Sequence, residues 1–295
     1  MVELNEVRIA VVLNAFKRTE YLSLQLDAIE NQSIKPVEVY LWHNRGQSIN
    51  ESLKSRVILA ECSENLGVWS RFAYALNADV DYICVLDDDT IPGARWFENC
   101  VKTMETHDGL LGTRGLQYLS KKRYNPYKEY GWANPNEETV QVDIVGHAWF
   151  FRREHLAQFW SELPPKEFSR TSGEDIHFSY MLQKAGINTY VPPHPTNETE
   201  LWGSLPEYGK NIGTNDAAIS LSSGALSKFD KAYRYYISRG FELCLSRKER
   251  LSEGVVLGSG VKKNPILRKI VDSSPLVKKI AKKVHNLLAK IGFHV

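Results

Sequence analysis

The sequence has little cysteine and no pattern in it. Cys62, Cys84, Cys100 and Cys244 are scattered over 295 residues. None has the spacing of a metal-ligand pair, and a reducing compartment fits. Cys84 lies in an apolar run and reads as a core thiol. No apolar run approaches the roughly 18 residues of a membrane-spanning helix. The opening MVELNEVRIAVVLNAF lacks the basic-then-apolar pattern of a secretion leader, so a cytoplasmic protein is expected. Three sequons, at Asn31, Asn50 and Asn197, are then chance matches. There is no internal repeat and no low-complexity tract.

A strong charge of one sign is also missing, with one local exception. The net charge is +2, but residues 261–295 carry nine Lys/Arg and one acid, which leaves −6 on residues 1–260. The body is therefore not a nucleic-acid binder by charge. At 43% hydrophobic and 24% charged residues, the composition is that of a globular protein with room for one large core.

What is present begins with YICVLDDDTIPG (Tyr82–Gly93), a buried-strand run ending in three carboxylates and a chain break. Two carboxylates about 5 Å apart repel by roughly 3 kcal/mol at an effective dielectric near 20. On an extended backbone Asp87 and Asp89 share one face and Asp88 takes the other. Two same-face acids at a strand end make a seat for a hard divalent cation, Mg²⁺ or Mn²⁺. The alternative is a solvated turn in which Asp89 or Thr90 caps the next helix.

Strand and helix patterns alternate through the first 110 residues. Strands are expected at Arg8–Phe16, Pro36–Asn44, within SRVILAECSEN and in DYICVLDDD. Helices are expected in TEYLSLQLDAIENQ, in GVWSRFAYALNAD (with Val68, Phe72 and Leu76 inward) and in GARWFENCVKTMETH. This predicts an α/β fold with a mostly parallel, doubly wound sheet, whose ligands bind beyond the carboxyl ends of the strands. After LLGTRGLQYL, another strand, residues 120–140 read as a long surface loop. VQVDIVGHAWFFRRE reads as a strand running into a helix, GEDIHFSYMLQKAG as a helix stopped by Gly186, and INTYVPP as a strand. Residues 194–215 read as a polar loop, and 216–250 as one or two helices. A second acidic pair, Glu174-Asp175, opens a helix behind Gly173. A helix dipole favours acids there by about 0.3–1 kcal/mol, so the pair also has a plain capping role.

Taken in order, these pieces resemble nucleotide-sugar glycosyltransferases of the GT-A fold, closest in pattern to glycosyltransferase family 2. The resemblance covers about Arg8 to Pro193. VVLNAFKRTEYLSLQLDAIENQSIKPVEVYLWHNRG matches the first strand, Arg-bearing loop, helix and second strand. ENLGVWSRFAYALNADVDYICVLDDDTIPGARWFENCV matches the DxD region. VDIVGHAWFFRREHL matches the acceptor-side strand, and GEDIHFSYMLQKAGINTYVPP the Glu-Asp helix and edge strand.

The resemblance implies a Rossmann-like GT-A fold with C-terminal helices and a metal-dependent transfer of sugar from a nucleoside-diphosphate sugar to a hydroxyl. The acceptor would be a glycan or lipid-linked saccharide in cell-surface polysaccharide or glycolipid synthesis. Asp87 and Asp89, with His194, would hold Mn²⁺ or Mg²⁺. Asn14, Arg18, Asn44, Asn65, Arg71, Asp87 and Asp88 would border the donor, with Arg71 available to phosphate. Asp175 would be the general base and Glu174 would position it. Trp132, Trp149 and Trp202 would offer faces to acceptor sugars. The family's second strand commonly ends in an Asp that reads the base. His43-Asn44 stands here instead, so UDP is the default and GDP or dTDP sugars stay open. Family 2 members invert, and inversion is expected.

Two other readings are open. LDDDT superficially resembles the signature of haloacid-dehalogenase-like phosphatases, but Ile91 stands where Thr or Val is required. A non-catalytic glycosyltransferase-like binding module is the other. The expected organisation is a catalytic domain over 1–215, a helical extension packed on it over 216–260, and a tail over 261–295. In that tail Leu276, Val277, Ile280, Ala281, Val284, Leu287, Leu288 and Ile291 recur at helical spacing beside Lys278, Lys279, Lys282, Lys283 and Lys290. Such a helix lies in a membrane interface, so peripheral attachment to an anionic surface is expected.

Overall fold

The structure, a computed structural model, describes residues 7–132, 134–166, 172–212 and 224–245. The basic tail at 261–295 lies outside the described residues, as does much of the 216–260 extension.

Nine strands form one sheet: β1 (Ile9–Ala15), β2 (Glu38–His43), β3 (Ile58–Glu61), β4 (Tyr82–Leu86), β5 (Gly109–Tyr118), β6 (Tyr127–Gly131), β7 (Val140–Val142), β8 (Ile144–Arg152) and β9 (Asn188–Val191). The order is β3-β2-β1-β4-β8-β5-β9-β7, with β6 paired to β5. Strands β3, β2, β1 and β4 are parallel, and β5 and β9 share their direction. β8, β7 and β6 run the other way. The sheet is thus mixed and mostly parallel, an α/β Rossmann-like GT-A fold.

Alternation along the apolar runs builds two cores. Ile9, Val11 and Leu13 of β1, with Cys84 and Leu86 of β4, face α1 (Leu22–Glu30) and α4 (Trp96–Thr106). Ala10 and Val12, with Ile83 and Val85, face the other way. They meet Phe72 of α3 (Ser70–Tyr74), Phe159 of α5 (His155–Phe159) and Phe178 of α6 (Glu174–Lys184). A strand buried on both faces needs a continuous apolar run, which β1 and β4 supply. A third cluster packs Tyr233 and Tyr236 of α8 (Ala225–Ser238) on Tyr118 and Tyr180.

Several expectations change. The 120–140 segment is not all loop: β6 pairs with the outer half of β5. The polar 194–215 segment holds a short 3₁₀ turn, Thr199–Leu201, and α7 (Pro206–Ile212). Leu76 is 48% exposed rather than inward, because α3 ends at Tyr74 and tightens into 3₁₀ geometry over Ala75–Asn77. Another short helix, α2 (Glu51–Lys54), joins β2 to β3. Among the described residues no helix is long and apolar enough to cross a membrane.

Candidate active site

The acids lie where β4 ends. Leu86 faces α1 and α4, so by alternation Asp87 turns to the α3 and α6 side and Asp88 to the opposite side. Their partners agree. Asp87 pairs with Arg71 of α3, while Asp88 meets Arg18 at 2.6 Å. Arg18 also donates to Asp89 at 2.8 Å and to the Ile212 carbonyl at 3.3 Å. The turn is pinned from two elements. Gln25 of α1 donates to the carbonyls of Asp87 and Thr90, both at 2.8 Å. The His147 carbonyl in β8 accepts from the Asp87 N–H and the Thr90 hydroxyl, both at 2.9 Å. Neither Asp89 nor Thr90 caps a helix, since α4 starts only after Arg95.

His147 completes the cluster. Its Nδ1 lies 3.6 Å from Asp89 Oδ1 and 4.0 Å from Asp87 Oδ2. The register between β5 and β8 shifts between Gly112 and Arg114, and opposite that irregularity His147 has φ of 65°. A bulge of this kind re-aims a side chain. Ligand atoms of Asp87, Asp89 and His147 all lie within 4.8 Å of one another. Asp89 Oδ1 is buried and accepts no hydrogen bond, so it suits a cation.

Four carboxyl groups, Asp87, Asp88, Asp89 and Glu174, face two guanidiniums, Arg18 and Arg71. Burial pushes the Asp88 carboxyl up to about 7 against the pull of Arg18. Burial also opposes ionisation of Asp89, yet His147 and Arg18 hold that carboxyl well below the ordinary carboxylate range. Two carboxylates and an imidazole within reach of one another are a donor set that could hold a divalent cation.

The second acidic pair opens α6 behind Gly173, whose φ of 90° is a conformation glycine adopts without strain. Arg71 ties the two acidic groups together. Its guanidinium binds Asp87, reaches Glu174 Oε1 at 3.3 Å and donates to Asn14 Oδ1 at 3.0 Å. Burial raises Glu174 well above the usual range, Asp175 raises it further, and Arg71 opposes both. Burial also raises Asp175, against a 2.7 Å hydrogen bond from the Ile176 N–H.

Other expected residues stand elsewhere. His194 is not beside the acids but fully buried. Its Nδ1 is 2.8 Å from the Pro192 carbonyl and its Nε2 3.0 Å from the Thr113 hydroxyl, so both ring nitrogens are engaged. Trp149 and Trp202 are core residues. Trp149 is 2% exposed against Phe72 and Arg71, and Trp202 donates to the Pro195 carbonyl. Neither offers a face to a sugar; Trp132, stacked on His147, is the one at the cluster. Arg71 is 2% exposed, and its two terminal nitrogens are committed to Asp87, Asn14 and Glu174, which leaves only a buried Nε without a partner. Asn44 Oδ1 accepts from Leu66 N and Trp42 Nε1, and Asn65 Oδ1 from Gly67 N, so both shape the loop after β3. His147 was missed by sequence reasoning. Its signal was the Gly146-His147 pair interrupting an apolar strand.

The sequence model of the family described as Glycosyl transferase family 2 matches residues 10–160. The chain belongs to glycosyl transferase family 2. The match spans β1 through α5 and so includes Asn14, Arg18, Arg71, the Asp87–Asp89 turn and His147, while Glu174 and Asp175 lie beyond it. No curated protein matches the chain.

Proposed function

We propose that this family 2 glycosyltransferase transfers a sugar from a nucleoside-diphosphate sugar, a UDP-sugar by preference, to a hydroxyl of a glycan or lipid-linked saccharide, with inversion. The observation that carries the reading is the convergence of Asp87, Asp89 and His147 at the end of β4, with a buried oxygen on Asp89 that accepts no hydrogen bond. These three residues would hold Mn²⁺ or Mg²⁺, which when bound supplies positive charge to the departing diphosphate. Arg18 is the donor-side cation. Asp88 and Asp89 hold it at the strand end, where it would be available to a donor phosphate. Asn14, Asn44 and Asn65 shape the nucleotide side. Asp175 takes the proton of the acceptor hydroxyl, and Glu174, held by Arg71, fixes the start of α6 that carries it. Trp132 walls the acceptor side.

The catalytic domain ends near residue 215, and the 216–260 extension adds α8. The 261–295 tail would hold the enzyme at an anionic membrane surface, where a lipid-linked acceptor would be met. The test is a thermal-shift panel of nucleoside diphosphates with and without Mn²⁺. A ligand at 100 times its Kd stabilises by about 2.7 kcal/mol. A metal-dependent shift with UDP is expected, and no shift with any nucleotide overturns the reading.

A further inference from the structure

Two described residues other than glycine have left-handed backbone, Trp132 (φ 38°) and His147 (φ 65°). Trp132 directly follows β6 and His147 lies within β8, yet their rings stack on each other, with centroids 4.9 Å and planes 21° apart. Left-handed backbone is strained for bulky residues and persists only where the surroundings over-determine it.

One irregularity in β5 underlies both. The register shift that flanks Thr113 accompanies the bulge at His147 in β8. On its other edge the same residue seats the end of β6: a Cβ on Gly131 (φ 70°) would run into the Thr113 carbonyl oxygen. The chain can pass only as glycine, and a 2.6 Å hydrogen bond from Asn134 N to the Gly131 carbonyl closes the turn that presents Trp132. A single point on β5 thus directs two rings to one place.

A ligating imidazole must be held in the right rotation about its ring axis, usually by a hydrogen bond to its second nitrogen. Here the ring contacts of His147 are Asp87, Asp89 and Trp132, and among the described residues its Nε2 has no hydrogen-bonding partner. Stacking engages the ring face and leaves both in-plane nitrogens free. We propose that Trp132 is a positioning residue for the cation site: its indole holds the His147 imidazole with Nδ1 toward Asp87 and Asp89. This rests on the metal reading above and assigns Trp132 a role distinct from sugar contact.

The test is Mn²⁺ binding to the full-length protein without nucleotide, followed by the electron paramagnetic resonance signal of free Mn²⁺. Unfolding midpoints are measured alongside. Trp132→Leu fills the space without an aromatic face and should weaken Mn²⁺ by about 10–100-fold. Trp132→Phe keeps a face and should stay within about threefold of the parent. Asp89→Asn and His147→Ala should both lose tight binding. If Trp132→Leu binds Mn²⁺ like the parent while Asp89→Asn and His147→Ala do not, the positioning role is wrong and the metal reading stands. Equal losses in the Leu and Phe variants also overturn it, since a ring face would then not be what matters. If Asp89→Asn and His147→Ala bind normally, the metal reading itself falls.

Discussion

The guanidinium of Arg71 lies 4.6 Å from the ring centre of Trp149, in a space that leaves the arginine 2% exposed. From that seat it bonds Asp87 and Glu174, one from each acidic group. Arg71→Ala strands two partly or wholly buried carboxylates, and breaking such a network costs about 3–5 kcal/mol. Denaturant unfolding with chelator present should show that loss. Arg71→Lys keeps the charge without the planar fork and should lose less. Unchanged stability in Arg71→Ala would remove the arginine from any structural role.

Acid sensitivity should come partly from two buried histidines. Burial lowers His177 and His194 to about 4, below the ordinary value near 6.5. The unfolded chain takes up protons below about pH 6.5 while the native state resists. The stability they contribute is therefore present above that pH and lost as pH falls toward 4, on the order of 3 kcal/mol for each. His194→Gln should flatten the slope of stability between pH 6.5 and 4 and leave Mn²⁺ affinity unchanged. Weakened Mn²⁺ binding in that variant would return His194 to the metal site.

Replacing Asp175 with Asn should lower turnover by about 10²–10⁴-fold with nucleoside-diphosphate affinity intact. Because burial raises this carboxyl, the acid limb of the rate profile should lie above the ordinary carboxylate range. Parallel loss of rate and nucleotide affinity would make Asp175 a donor ligand rather than a base.

Flotation with liposomes tests the tail. Full-length protein should rise with anionic vesicles and be released by high salt, at about 1 kcal/mol for each lysine near the surface. A chain truncated near Gly260 should stay behind. Identical behaviour of the two would exclude the tail as an anchor.

The parallel half of the sheet and its acidic strand end were legible because β1 and β4 are buried on both faces and read as unbroken apolar runs. β6 was not legible. Lys128, Glu129 and Tyr130 are only half buried, and its strand character comes from pairing with β5 rather than from its own pattern. The placement of the two histidines was not legible for a similar reason. His194 follows a strand, but Thr113 and the Pro192 carbonyl claim its nitrogens. His147 sits inside a strand, and only a bulge that depends on β5 turns it to the acids. Local pattern reports which residues are buried; it does not report which ring a distant strand will rotate.

The reversed direction of β8 has an effect on assembly. Because it runs against β4, its early residues, not its last, reach the carboxyl ends of the parallel strands. The aspartates come from one stretch of chain and the imidazole from another some 60 residues later, inserted between β4 and β5. A fragment ending after α4 would carry all three aspartates but neither the imidazole nor the carbonyl that pins Asp87. On the proposed metal reading, cation affinity is a gauge of tertiary closure: it should rise only once the antiparallel insert has docked, and its appearance during refolding would time that event.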